Sequence, residues 1–146
     1  NTSFSVNYKG FFVGAVELSG TRTIEISQSG ETNIDLVVQS DMTVVLPEGT
    51  VLKEKGTKAL QIQFGTTLGS TTYDLSGSWT VSDGFATYAV DIRESLEGNL
   101  ACPYAVTGLM DIEKNGLEIG VDFGEGECDN EVTLVYPNGD RQILEL

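Results

Sequence analysis

Oxygen-bearing side chains are concentrated between residues 122 and 131. Asp122, Glu125, Glu127, Asp129, Asn130 and Glu131 lie within ten residues, and Gly124 and Gly126 separate them. Calcium binds about six to eight oxygen ligands from flexible loops, so we expect Asp122, Glu125, Glu127, Asp129 and Asn130 as candidate calcium ligands. The spacing lacks the Asp-x-Asp-x-Asp-Gly run of an EF-hand. The alternative is a solvated acidic turn in which Asp129 and Asn130 hydrogen-bond to their own backbone.

Aromatic side chains form a second candidate site. Tyr73, Trp79, Phe85 and Tyr88 lie within sixteen residues. An aromatic platform beside Asn, Gln and Asp side chains is typical of carbohydrate-binding β-sandwiches, so Trp79, Tyr73 and Tyr88 are candidate ligand-binding residues. Aromatic residues on alternating strands are more often part of the core.

Two cysteines bracket a predicted β-hairpin. Cys102 and Cys128 stand just outside the ends of a segment that folds back at Lys114-Asn115-Gly116. They form either one disulfide or two free thiols. A disulfide across this loop stabilises a fold by roughly 3 kcal/mol in the chain-entropy model.

No motif of an enzyme is present. The chain has no histidine, so the commonest metal ligand and the commonest general base near neutral pH are missing. There is no phosphate-binding glycine loop, no nucleophile elbow and no zinc-ligand spacing. We expect no catalytic residues and, calcium apart, no cofactor.

The elements that position these residues are predicted to be strands. Apolar and polar residues alternate with period two, and turn residues recur every eight to twelve positions. The pattern predicts one all-β domain over residues 1–146, with about twelve short strands. An antiparallel β-sandwich is the first expectation and an up-and-down β-barrel the alternative.

Several turns and faces are predicted along the chain. Lys9-Gly10, Ser19-Gly20 and the charged segment 53–56 are expected to interrupt strands. The alternating segment 60–64 directs Gln61 and Gln63 to water or to a polar ligand cavity. We expect the closing strand, residues 142–146, to pair with residues 131–136 through a turn at Asn138-Gly139.

The charge of the chain restricts its partners. The net charge is −14, and residues 94–146 carry −10 of it. Such a field repels phosphate backbones and anionic headgroups, so we expect neither nucleic acid nor a membrane surface as a partner. No apolar stretch approaches the length of a transmembrane span.

The second half of the chain is similar to a known group of proteins. Its specific part is Cys102 with Asp122-Phe-Gly-Glu-Gly-Glu-Cys-Asp-Asn130, followed by a strand, an Asn-Gly turn and a final strand. Over residues 76–146 it resembles uncharacterised exported lipoproteins of flavobacteria and other Bacteroidota, which share an Asp-Phe-Gly-x-Gly-x-Cys-Asp-Asn motif. The resemblance implies an all-β fold, export, and lipid anchoring through a cysteine upstream of Asn1. In an oxidising compartment, Cys102 and Cys128 are then expected to form a disulfide.

These observations lead to an expected function. We expect a non-enzymatic extracytoplasmic lipoprotein, at the cell surface, in the periplasm or secreted, that binds a protein partner as an accessory subunit of an outer-membrane assembly. One alternative is a structural subunit of an extracellular filament, formed when a strand such as Phe4–Tyr8 completes a neighbour's sheet. The other is an adhesion module that binds calcium or carbohydrate.

Overall fold

The protein consists of ten antiparallel strands in a single open sheet. A computed structural model describes residues 1–146, and the strands are β1 (Thr2–Val13), β2 (Val16–Ser27), β3 (Asn33–Val45), β4 (Val51–Gln63), β5 (Thr72–Ser82), β6 (Thr87–Asn99), β7 (Thr107–Lys114), β8 (Leu117–Glu125), β9 (Glu131–Val135) and β10 (Arg141–Glu145). Each strand pairs with the next one in the chain, so the order in the sheet is the order in the sequence. The chain contains no helix, and so none that could cross a membrane.

The all-β prediction is confirmed, but the layer arrangement differs from the expected one. β1 and β10 are the two edges of the sheet and do not pair with each other, so the sheet does not close into a barrel. Strands contact only their neighbours in the sheet, so no second layer forms as in a sandwich. Alternation of apolar and polar residues indicates that a strand has two unlike faces, but it does not indicate what covers either face.

The chain has ten strands rather than about twelve, and three expected turns lie inside strands, while the first turn of the chain lies at Gly14-Ala15. β1 runs through Lys9-Gly10 with a bulge, β2 runs through Ser19-Gly20, and β4 runs through residues 53–56. Glycine marks a close approach of two backbones here: a Cβ on Gly20 would overlap the carbonyl oxygen of Asp41 on the neighbouring strand.

The predicted hairpin turns are confirmed. β7 and β8 are joined by Asn115-Gly116, whose φ angles of 54° and 79° are those of a type I′ turn. Residues 141–145 pair with residues 131–135 through the Asn138-Gly139 turn, as expected.

The register gives the sheet two unlike faces. Side chains at cross-strand partner positions point to the same side, so the register sorts the residues of β2 to β5. The apolar face of these four strands carries Leu18, Ile24, Ile26, Ile34, Leu36, Val38, Met42, Val44, Leu52, Leu60, Ile62, Tyr73, Leu75, Trp79 and Val81. The polar face carries hydroxyl, amide and charged side chains at the alternate positions.

Little of this sheet is buried. Only nine of the 146 residues are buried, and Met42, at 1% exposure, is the largest fully buried side chain. The accessible surface is 9168 Å². A compact monomer of this mass exposes about 7,300 Å². The excess is what a single layer predicts, because neither face is covered by another element.

Candidate functional site

A groove of about 440 Å³ on the polar face is the best-defined candidate site. It crosses five strands, β3 to β7, at the end of the sheet where β4 ends and β5 begins. The volume lies in the range of small-molecule sites, which is about 300–1,000 Å³.

The groove is built from two rows of paired residues. One row runs Asn33, Gln63, Thr72, Asn99 across β3 to β6, and the other runs Asp35, Gln61, Asp74, Glu97, Thr107 across β3 to β7. Members of a row face the same side because partner positions in an antiparallel sheet do so. Alternation along each strand places the two rows two residues apart, so the rows lie side by side.

The groove is lined by hydrogen-bonding groups and is acidic. Asp74 lies directly opposite Glu97, and Asp35 lies on the same row two strands away. The lining includes no lysine or arginine. The groove therefore disfavours anionic ligands and offers acceptors to hydroxyl and amine donors.

Some lining side chains are committed to the fold. The Thr107 hydroxyl donates to the Glu97 carboxylate at 3.1 Å, and the Asn99 side-chain oxygen accepts from the backbone N–H of Ala101 at 3.0 Å and of Cys102 at 3.1 Å. Gln61 and Gln63 take part in none of the side-chain hydrogen bonds within the chain. Their amides are therefore available to a ligand.

The disulfide supports one wall of the groove. Cys102 and Cys128 are bonded, as predicted, with their Cα atoms 5.9 Å apart. The bond joins the β6–β7 loop to the β8–β9 loop. Val106, on the first of these loops, lines the groove, and its N–H donates to the Glu97 carbonyl at 2.8 Å. The crosslink thus limits the movement of a groove wall.

The expected calcium ligands are not brought together. The two carboxylate oxygens of Asp122 accept from Gly124 N–H and from Arg141, each at 3.0 Å, and Asp129 accepts from Glu131 N–H at 3.1 Å. Glu125 ends β8, and Glu127 and Asn130 lie in the loop after it. No three acidic or cysteine side chains in the chain are grouped as metal ligands. Asp129 forms the hydrogen bond to its own backbone that the solvated-turn alternative expects, whereas the Asn130 side chain forms none.

The expected aromatic platform is divided. By register the side chains of Trp79, Tyr73 and Tyr88 lie on the apolar face; Tyr73 is also among the residues that line the groove, whereas Trp79 and Tyr88 are not. Tyr73 and Trp79 are six residues apart on β5, which is about 20 Å along a strand. Lys58 Nζ lies 4.5 Å from the Trp79 ring and Lys114 Nζ 5.3 Å from the Tyr88 ring, whereas Phe85 is 99% exposed in a turn. These rings do not form one sugar platform.

Two ion pairs mark the polar face beyond the groove. Arg93 contacts Asp111 at 2.9 Å, and Arg141 contacts Asp122 at 3.0 Å. The hydrogen bond from Arg93 to Asp111, together with the charge of that carboxylate, raises the pKa of the Arg93 guanidinium. These pairs neutralise carboxylates near β7 and β8, whereas the carboxylates of the groove have no such partner.

Three residues that line the groove, Gln61, Gln63 and Tyr73, were candidates from the sequence, and the other lining residues were not expected. The alternation around Gln61 and Gln63 indicated a polar cavity, but Asn33 and Asp35 on β3 and Asp74 on β5 belong to no motif. Only the register shows that Asp35 and Asp74 share a row and that Asn33 lies in the row beside it, and register depends on which strands pair.

Comparisons with known proteins identify no relative of this chain. No protein-family model matches the chain, and no significant match is found among curated proteins or among solved structures.

Proposed function

We propose that the protein is a non-enzymatic extracytoplasmic binding module that holds a neutral carbohydrate in the polar groove. The observation that carries the proposal is the pair of cross-strand rows. They place amide, carboxylate and hydroxyl groups side by side with no positive side chain among them. Neighbouring hydroxyls of a sugar both donate and accept, which matches the amide of Gln61 between the carboxylates of Asp35 and Asp74. This moves the carbohydrate hypothesis from the aromatic residues to the groove.

The disulfide supports the compartment. Disulfides persist in oxidising spaces outside the cytoplasm, and this chain has both of its cysteines in one. We place the protein at the cell surface, in the periplasm or in the medium, as a lipoprotein that serves as an accessory subunit of an outer-membrane assembly. Glycan capture by such a subunit delivers ligand to its larger protein partner.

The test is a binding screen with neutral, basic and anionic glycans, followed by calorimetry on the strongest ligand. We expect binding to neutral glycans and none to sulfated or uronate-rich ones. The double variant Gln61→Ala, Gln63→Ala loses at least about tenfold in affinity, since unpaired sugar hydroxyls are costly in a site built for them. Gln39→Ala is the matched control, because Gln39 is an exposed amide on the polar face outside the groove.

Two results contradict the proposal. One is the absence of binding to any neutral glycan. The other is binding that survives the double variant but is lost in Trp79→Ala, which would place the ligand on the apolar face.

A filament subunit is the second candidate function, favoured by the two free sheet edges. β1 offers twelve residues and β10 offers five, each paired on one side only. Head-to-tail pairing of β1 with β10 of the next copy would extend the sheet without closing it, which generates fibres. The difference in length leaves most of β1 unpaired in that arrangement. Electron microscopy of concentrated protein tests the filament function. Fibres that the unmodified protein forms and Val6→Pro does not would support strand addition, and the absence of fibres from the unmodified protein would exclude it.

A further inference from the structure

We propose that two copies of this chain pack through their apolar faces and form a two-layered β-sandwich dimer. The proposal concerns the face opposite the groove and goes beyond ligand binding. It starts from the absence of any cover over the apolar face within residues 1–146.

Exposure on the apolar face shows that it is unpartnered. Of its residues in β2 to β5, Met42 alone is buried, while Leu36, Leu60 and Trp79 remain half-buried. On β1, at the edge, Phe4 and Phe11 are 44% and 54% exposed and lie on the same face by register. A sheet with one apolar face requires a second layer. The loops between strands are short, and no element of the chain is left to supply that layer.

The area involved is sufficient for a stable dimer. The chain exposes 9168 Å², about 1,900 Å² more than a compact monomer of its mass. A standard interface buries about 800 Å² on each partner. The surplus comes from both uncovered faces, and half of it, about 950 Å² for one face, still exceeds what a specific dimer needs.

The distribution of charge allows two copies with a net charge of −14 each to approach. In β2 to β5 the acidic side chains lie on the polar face with one exception, Glu54. Glu54 pairs with Lys58 at 3.2 Å on the apolar face, and Arg22 adds a positive charge there. In a face-to-face dimer the acidic faces point outward, more than about 10 Å apart, and physiological salt screens their repulsion over about 8 Å.

Matching twist favours a second copy over an unrelated surface. Two sheets pack face to face when their strands lie within about 30° of each other, an angle set by the twist of each sheet. Two copies have the same twist and the same apolar area, so a two-fold arrangement covers both faces at once. The dimer leaves both polar grooves open to solvent on its outer surfaces.

Sedimentation velocity from low to high micromolar concentration tests the proposal on the full chain. We expect a species of two copies. Leu36→Asp, at the centre of the apolar face, weakens the dimer at least about tenfold because it buries an unpaired charge. Val37→Asp is the matched control: it adds the same charge at the next position of β3, on the polar face, and leaves the dimer intact.

Lys58→Glu is the second variant, chosen in case Leu36→Asp does not fold, which circular dichroism reports. Lys58→Glu loses the Glu54 ion pair and the contact with the Trp79 ring but leaves the aliphatic side chains of the apolar face in place, and it puts two carboxylates together at the interface. Trp79, the single tryptophan, gives an independent readout. Acrylamide quenching of its fluorescence should be reduced in the dimer of the unmodified protein and restored in Leu36→Asp.

Four outcomes overturn the proposal. These are a monomer at every concentration, oligomers that grow without limit, equal weakening by Val37→Asp, and Trp79 quenching that does not change with concentration. Oligomers that grow without limit would indicate the filament, and a monomer at every concentration would assign the apolar face to a different partner.

Discussion

At the scale of single residues, side-chain hydrogen bonds stabilise the turns of this sheet. The Asp83 carboxylate between β5 and β6 accepts from the N–H of Ala86 at 2.8 Å and of Phe85 at 2.9 Å. These two backbone bonds lower the pKa of Asp83. The turn holds Asp83-Gly84, and Asp and Gly favour the backbone conformations that it needs.

Asp83→Ala should lower the melting temperature at neutral pH, because both N–H groups lose their acceptor. A lowered pKa means that the ionised form is favoured by folding. The contribution of Asp83 to stability is therefore fully present above about pH 4, the pKa of this carboxyl in the unfolded chain. It is lost as the pH falls through the lower pKa of the folded state. The difference in melting temperature between Asp83→Ala and the unmodified protein should therefore become smaller in acid. Asp83→Asn keeps an acceptor and does not titrate, so it serves as the control. A gap that is constant from neutral pH to acid would contradict this account.

Tyr73 provides a second titration, at the opposite end of the pH scale. Burial raises the pKa of its phenol. A raised pKa means that the neutral form is favoured by folding, so stability falls as pH rises above about 10, the unfolded value. In an absorbance titration, Tyr73 should ionise above about pH 10. Tyr73→Phe should remove that step; persistence of the step would assign it to another residue.

At the scale of elements, the sequence predicted the β type of the elements and the two Asn-Gly turns better than it predicted the number of strands. The Asn115-Gly116 and Asn138-Gly139 turns followed from residue chemistry, because Gly and Asn adopt positive φ at low cost; Asn115, Gly116 and Gly139 do so here. Gly20 and Gly56 are glycines like those of the turns, yet both lie within strands, with φ angles of 116° and 154°. A glycine between polar residues indicates either a turn or a close backbone approach, and only the neighbouring strand decides between them.

Glycine substitutions distinguish these two uses. A Cβ on Gly77, in β5, would overlap the carbonyl oxygen of Thr57 on β4, whereas a Cβ on Gly14, in the β1–β2 turn, meets nothing. Both have positive φ, at 133° and 61°. Gly14→Ala should therefore cost about 1 kcal/mol of unfolding free energy from backbone strain alone, and Gly77→Ala more than about 2 kcal/mol because two strands must also separate. Urea denaturation measures both, and equal costs would show that the approach of β4 and β5 is easily relaxed.

The disulfide acts between elements rather than within one. Reduction, or the pair Cys102→Ser with Cys128→Ser, should lower the unfolding free energy by about 3 kcal/mol. It should also weaken glycan binding, because the loop that carries Val106 forms a groove wall. Native protein should incorporate no alkylating agent until it is reduced. Two thiols that alkylate without reductant would contradict both the bond and the extracytoplasmic assignment.

For the whole molecule, the sequence predicted the all-β class but not the number of layers. Segments such as Leu60-Gln-Ile-Gln-Phe64 alternate in the same way whether the apolar side meets another part of the chain or another chain. The same limit applies to the groove. Its rows join residues from Asn33 to Thr107, and their grouping depends on the meander order of the sheet. A pattern local in sequence cannot specify a site that exists only across five strands.

The meander order also predicts how the molecule unfolds. Because strands contact only their neighbours, the sheet resembles a repeat array in which stability is the sum of adjacent interactions. β9 and β10 have five residues each, while β3 and β4 have thirteen. Local opening should therefore begin at β10, which is held on one side by a short ladder, and the β3–β4 pair should open last.

Hydrogen exchange by mass spectrometry, on protein dilute enough to be monomeric, measures this gradient. Amides of β10 and then β9 should exchange fastest among the strands, and those of β3 and β4 slowest. Deleting residues 141–146 is the matching variant: it should raise exchange in β9 and leave β3 unchanged. Uniform protection across all ten strands would instead mean that the sheet unfolds as one cooperative unit, and that the groove in its middle is no more rigid than its edges.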